Sequence, residues 1–340
     1  MRKVSSNVSL CMVPKVAAPF VPQAQAKPVT ITSPSTSVDK PKLSFAVISD
    51  IHLRAGVDDV GNPYYDHVAE NKFQAALQDL HSINPHTNAL VIDGDLTVTG
   101  VQTDYDSMNK VLNETPHPRH TLFAMGNHEF YHAFYDENGY YNPSAFPNGE
   151  TEQTAITRYL KNTGMPSLYY SIVIKGYHFI VLGSEKSRIS NPNYYDNAVV
   201  SDTQLQWLDN ELKNSPHNKP SFVFLHQPIP NTVAGSTGNY IIDSDNFIKI
   251  LDKYPHIILF SGHGHWTLKN QPETMWQGKF TAFNDSCVRD PWDPTTNSLV
   301  GDSEGLYVQV YKDKVVVKGR DFTNKQWIDQ YTVNIPKDPV

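Results

Sequence analysis

The stretch LFSGHGHW, residues 259–266, closes an apolar run that starts at Ile257 and stops on two histidines separated by one glycine. A short run rich in β-branched and aromatic residues reads as a strand buried on both faces. Nothing about burying a strand calls for imidazoles, so the function of His263 and His265 lies beyond the strand's end.

Five more runs of this kind precede it: LSFAVISD (43–50), NALVIDGD (88–95), TLFAMGNHE (121–129), YHFIVLGSE (177–185) and SFVFLHQP (221–228). Between them lie helical patterns at 66–83, where Phe73, Leu77 and Leu80 share a face, and at 103–114, 201–214 and 243–253. Ser201 followed by Gln204 reads as a capping box. This alternation predicts an α/β fold, with parallel strands and helices packed outside them. Two segments break the pattern: 167–185 reads as a hairpin around Lys175-Gly176, and 305–322 as another around Lys312-Asp313. With no internal repeat, one domain spanning 42–340 is expected.

Five of the six runs end in Asp, His or Asn: Asp50 and His52, Asp95, Asn127 and His128, His226, then His263 and His265. Ligands of open α/β sheets sit beyond the carboxyl ends of parallel strands, so these side chains are expected to converge as a metal site. Taken singly, Asp50 and Asp95 read equally as caps, Asn127 as a turn residue, and His52 and His226 as core histidines. Their joint occurrence decides otherwise. Asp50/His52 and His263/His265 are i, i+2 pairs, about 6.6 Å apart on extended backbone, which suits two ions. A carboxylate has two oxygens to bridge such ions, and Asp95 is the candidate bridge. Gly264 is expected to keep the space between the two imidazoles clear. Asp93 reads either as a local hydrogen-bond acceptor or as a functional group.

Through DIH (50–52), GDLT (94–97), GNHE (126–129), the histidine of FLHQP (226) and GHGH (262–265), in this order, the chain resembles the calcineurin-like metallophosphoesterases. The resemblance implies a four-layer α/β/β/α sandwich with two central mixed sheets. It implies one ion held by Asp50, His52, Asp95 and His265, and a second held by Asp95, Asn127, His226 and His263. Mn, Fe or Zn would serve, in a divalent or mixed-valence pair. It further implies hydrolysis of a small phosphomonoester or phosphodiester by a metal-bound hydroxide, with His128 as proton donor to the leaving alcohol. GDLT is closest in style to the class III cyclic-nucleotide phosphodiesterases, but Val98 stands where that branch has an Asp that orients the histidine. Glu129 or Asp93 is expected to substitute for it. Val98 also stands where purple acid phosphatases carry a metal-bound tyrosine.

Competing readings are weaker. An amidohydrolase-like barrel wants its H-x-H on the first strand, whereas here it comes last. A non-catalytic secreted binding protein that keeps the fold would show an incomplete ligand set. The charge of −7, with 28 Lys+Arg against 35 Asp+Glu, gives no footprint for a stable nucleic-acid complex, and no run is long and apolar enough to span a membrane. Residues 1–26 have a basic start and AQA at 24–26, as a secretory signal peptide does, and 27–41 form a Pro/Ser/Thr-rich linker. A secreted or cell-envelope location follows as an expectation. The aromatic-rich loops 130–146 and 187–200 either stack on a substrate's organic group or pack over the cleft.

Overall fold

The computed structural model describes residues 40–335 apart from 59–60, 239 and 270–271. The expected leader and all of the linker up to Asp39 lie outside the described residues.

Two six-stranded mixed sheets are stacked on each other. In the first, the strands run in the order Gln326–Asn334, Lys314–Asp321, Glu304–Val310, Leu43–Ile48, Ala89–Asp93, His120–Ala124. The last three are mutually parallel and the rest antiparallel. In the second, the order is Met275–Gln277, Thr281–Asn284, Ile257–Ser261, Ser221–Phe224, Tyr177–Val181, Tyr170–Ile174, with four central parallel strands and an antiparallel strand at each edge.

The period of two along each strand builds the layers. Phe45 and Val47 face a core shared with Phe179, Phe222, Phe224, Phe260 and Val308, so this core lies between the sheets. Phe45 meets Phe222 edge-on at 4.7 Å between ring centroids, and Phe224 stacks on Phe260 at 5.3 Å. Ala46 and Ile48 turn the other way, onto helices α1 (His67–Ile83), α2 (Gln102–Glu114) and α3 (Glu152–Thr163), through Phe73, Leu77, Met108 and Tyr159. On the second sheet, Ile180, Val223 and Leu259 face α4 (Asp202–Lys213) and α5 (Ser244–Leu251). The result is a helix, sheet, sheet, helix sandwich, as the resemblance implied.

Both expected hairpins are present as antiparallel pairs. The capping box at Ser201 is only half formed. Ser201 Oγ accepts from Gln204 N, but the Gln204 amide is committed to Gly183 N and O, and Glu185 takes the Ser201 N–H instead. Gln204 thus secures the end of the strand that carries no candidate ligand.

Candidate metal centre

Asp50 and His52, Asp95, and Asn127 and His128 follow the three parallel strands of the first sheet; His226, His263 and His265 follow two parallel strands of the second. Asp50 N donates to Gly94 O and His52 N to Asp95 O, both at 3.1 Å, so the first two loops run side by side. Five of the seven candidate ligands adopt positive φ: Asp50 at 53°, His52 at 45°, Asp95 at 48°, His263 at 66° and His265 at 55°. That backbone costs an L-residue about 1–2 kcal/mol, and such strain concentrates at functional sites. The strand ends because the chain turns sharply there to aim these side chains.

Close approach, rather than φ, explains two motif glycines. A Cβ on Gly126 would lie 2.2 Å from Asp95 Oδ1, and one on Gly262 2.6 Å from Asp50 Oδ2. Gly264 is different: its φ is not positive, and beyond its two chain neighbours a Cβ there would meet nothing closer than Gly235 Cα at 3.4 Å, an ordinary contact.

Ligand atoms of Asp50, His52, Asp95 and His265 lie within 4.8 Å of one another, and so do those of Asp95, His226 and His263. Asp95 belongs to both groups. His265 Nε2 is 2.9 Å from Asp50 Oδ1 and 3.0 Å from His52 Nε2; His226 Nε2 is 3.2 Å from Asp95 Oδ2. Despite this proximity, Asp50 Oδ1 and His226 Nε2 are buried without an aligned hydrogen bond among the described residues, as is Asn127 Oδ1. Polar atoms this close without bonds to one another are an arrangement that a cation held among them would satisfy. This donor set of imidazoles, carboxylates and one amide oxygen suits Mn, Fe or Zn.

Charge points the same way. Burial pushes the Asp50 carboxyl up, but the adjacent His265 and His226 outweigh it and hold it well below the usual range. Asp95 is also lowered, because His226 and His128 overcome the burial that would raise it. Burial lowers His226, yet Asp95 and Asp50 drive it up to about 10. A buried cluster that draws a proton this strongly has a place for a cation.

A second layer fixes these groups. Asp50 Oδ2 accepts from Ser49 Oγ at 2.5 Å and from His263 N at 3.0 Å; Asp95 Oδ1 accepts from His128 N at 3.0 Å; His226 Nδ1 bonds Asp93 O at 2.6 Å. Asn127 Nδ2 donates to Tyr131 Oη, while its Oδ1 is buried with no donor among the described residues. Such outer partners orient metal-binding side chains.

His128 turns Nε2 to 3.9 Å from Asp95 Oδ2 and places Nδ1 2.8 Å from the carbonyl oxygen of Val98. That backbone carbonyl fills the orienting role expected of Glu129 or Asp93, and neither of those performs it. Glu129 is buried and clamps two motif loops instead, with Oε1 accepting from Thr97 N and Oγ1 and Oε2 from Gly126 N. Burial holds His128 down to about 4 against the pull of Asp95.

The Asp93 carboxyl accepts from no donor among the described residues. Its carboxyl lies against that of buried Asp285, a residue the sequence reading missed. Burial raises Asp93 to about 7 against His226, and burial together with Asp93 raises Asp285 well above the carboxylate range. Asp285 follows the strand Thr281–Asn284, so recognising that strand would have exposed a sixth polar strand end. Cys287, also unassigned from sequence, is buried, with Sγ donating to Asp50 O and accepting from Asp290 N. His132 and His178 are structural, paired with Glu150 and Glu211, and Arg54 stacks over Tyr64.

Residues 43–267 match the family model described as calcineurin-like phosphoesterase. A 3',5'-cyclic-nucleotide phosphodiesterase of Nostoc sp. is 25% identical over 234 residues, covering 68% of this chain and 75% of that protein. Among solved structures, a purple acid phosphatase of yellow lupin superposes with a TM-score of 0.57 at 14% identity, covering 86% of this chain and 55% of the lupin protein. The GAP50 anchor of the Plasmodium inner membrane complex superposes at 0.51 with 12% identity, covering 87% of this chain and 89% of that one. At these identities the superpositions speak for the fold. The family match spans every candidate ligand in its expected order, and the chain belongs to the calcineurin-like phosphoesterase family, whose members are metal-dependent hydrolases of phosphoesters.

Proposed function

We propose that this hydrolase cleaves a small phosphomonoester or phosphodiester with two metal ions, one held by Asp50, His52, Asp95 and His265, the other by Asp95, Asn127, His226 and His263. The observation that carries the reading is Asp95, a buried carboxylate common to both ligand groups. When bound, such ions generate a nucleophile from water near neutral pH and neutralise the phosphoryl oxygens. Ser49 and His263 N hold Asp50, and His128 N holds Asp95, so the carboxylates need not reorganise when a phosphoester arrives. His128, held neutral by burial, would carry the proton to the leaving oxygen once the anionic phosphoryl group beside it raises its affinity for one. With Nδ1–H given to Val98 O, its Nε2 is the atom that faces the site and exchanges that proton.

A diester preference is the favoured form of this reading, supported by the Nostoc relative, whose name is that of a cyclic-nucleotide phosphodiesterase. The test is hydrolysis of a phosphomonoester and phosphodiester panel by protein loaded with Mn²⁺, Zn²⁺ or Fe. Activity lost in chelator and restored by metal supports the reading. An inactive protein that binds metal would instead make it a binding protein on this fold. Export is proposed from residues 1–26 and is tested by N-terminal sequencing of protein recovered from the culture medium.

A further inference from the structure

Tyr177–Val181 is a parallel strand whose end carries no candidate ligand, yet the loop that leaves it reaches the metal centre through Asp196. Asp196 is buried, and its backbone oxygen accepts from Gln227 Nε2 at 3.0 Å, the residue after candidate ligand His226. Its Oδ1 accepts from Tyr131 Oη at 2.8 Å, and Arg188 of the same loop holds Oδ2 at 2.8 Å. One residue thus joins the ligand loops of both sheets.

Tyr131 stands beside Asn127 because a short 3-10 helix, His128–Phe134, begins directly after Asn127 and turns residue 131 back toward it. Asn127 Nδ2 lies 3.3 Å from Tyr131 Oη. The Tyr131 ring also lies 4.1 Å from that of His128 between centroids, tilted by 32°. A single side chain therefore touches a candidate ligand and the candidate proton donor.

The direction of these bonds follows from what each group can do. An ionised carboxylate only accepts, so the one Tyr131 O–H is committed to Asp196, and the phenolic oxygen is left to accept. An acceptor selects the NH2 arm of the Asn127 amide and rejects the oxygen arm. The two arms diverge from one carbon, so pinning Nδ2 on Tyr131 turns Oδ1 away from it. Oδ1 is buried and takes no hydrogen bond among the described residues. The two arms are nearly equal in shape, so packing alone does not choose between them; the hydrogen-bond network does.

We propose that Tyr131 is a positioning residue: held by Asp196, it orients the Asn127 amide so that Oδ1, and not the NH2 group, is presented to the second ion. The inference rests on the two-metal reading and adds the control of one ligand. It also gives the ligand-free strand end a role, since the loop after that strand carries the carboxylate that sets the direction.

The test titrates metal-stripped protein with Mn²⁺ and reads stoichiometry and affinity by calorimetry. Tyr131→Phe keeps the ring against His128 and removes only the hydroxyl. It should weaken one ion about 10- to 100-fold, the ion that His226→Ala abolishes, and leave the other within about twofold. Asn127→Ala should weaken the same ion. Adding Tyr131→Phe to Asn127→Ala should then change affinity by no more than about twofold, because the amide to be oriented is gone. Asp196→Asn no longer imposes the direction and should also weaken that ion; it carries the same comparison if Tyr131→Phe does not fold. A tie that only packed the loops would act whatever residue stood at 127. An undiminished loss in the double variant therefore overturns the proposal, as does a Tyr131→Phe protein that binds both ions like wild type or weakens both alike. Wild type saturating at one ion would refute the two-metal reading separately. Loss of that ion's affinity in Asn127→Ala and Tyr131→Phe, without addition in the double variant, would still support the role of Tyr131; no effect of Asn127→Ala would overturn it.

Discussion

Glu129 is the residue whose role the structure changes most, and its removal has a calculable cost. Its carboxylate takes three hydrogen bonds, from Thr97 N and Thr97 Oγ1 at 3.1 and 3.0 Å and from Gly126 N at 2.7 Å. It thereby locks the loop carrying Asp95 to the loop carrying Asn127. In Glu129→Ala two backbone donors are stranded in a buried space, at about 1–3 kcal/mol each, and a void is left. Part is recovered, since burying the carboxylate is itself costly and pushes its pKa up to about 7. A net loss of about 3–5 kcal/mol remains, or about 6–20 °C in Tm at about 2–4 °C per kcal/mol. Glu129→Gln keeps the shape but offers one acceptor oxygen instead of two, and should lose about 1–2 kcal/mol. Thermal melts in chelator separate this from metal loss, and metal affinity measured in parallel should fall about 10- to 100-fold in Glu129→Ala. Melting of both variants within about 1 °C of wild type would show that Glu129 clamps nothing.

Three further outcomes follow from particular groups. His128→Ala should cost an alkyl phosphoester about 10²- to 10⁴-fold in kcat and a p-nitrophenyl ester far less, with metal content retained, because only the alkoxide needs the proton; equal losses would remove His128 from that role. Iron-loaded protein should lack the strong visible band of a tyrosinate ligand, since Val98 offers none; an intensely purple sample would contradict the matching of Val98 to the tyrosine position. Glu150 is pushed up by burial but held down to about 2 by His132, Thr154 and Arg158, against an ordinary 4.5. Its folded-state pKa is depressed, so its stabilisation is complete above about pH 4.5 and is lost as pH falls toward 2. The stability difference between wild type and Glu150→Gln, from urea midpoints, should shrink across that window, and a constant difference would refute it.

The parallel strands and the convergence of Asp50, His52, Asp95, His226, His263 and His265 were legible because buried parallel strands are continuous apolar runs, and because polar residues at their ends stand out against them. Less was legible where burial is one-sided. Helix α3 went unrecognised: TEQTAITRYLKNT is rich in threonine, buries only Ala155 and Tyr159 fully, and owes its ends to the Thr151 cap and left-handed Gly164. The edge strand Gln326–Asn334 alternates polar residues and is mostly exposed, so it lacks the apolar signature of the others. Contacts made by backbone atoms were out of reach altogether. Val98 orients His128 through its carbonyl oxygen, which every residue has, so no side chain at that position could have signalled it. Asp93 and Asp285 are far apart in sequence and meet only through the stacking of the two sheets.

The central claim is that Asp95 serves two ions at once, and metal content measured by elemental analysis tests it most directly. Wild-type protein dialysed against Mn²⁺, Zn²⁺ or Fe should hold two ions per chain, His226→Ala should hold one, and Asp95→Asn should weaken both, because it removes the carboxylate common to the two ligand groups. One ion per chain at saturation, with Asp95→Asn binding it as tightly as wild type, would contradict the account.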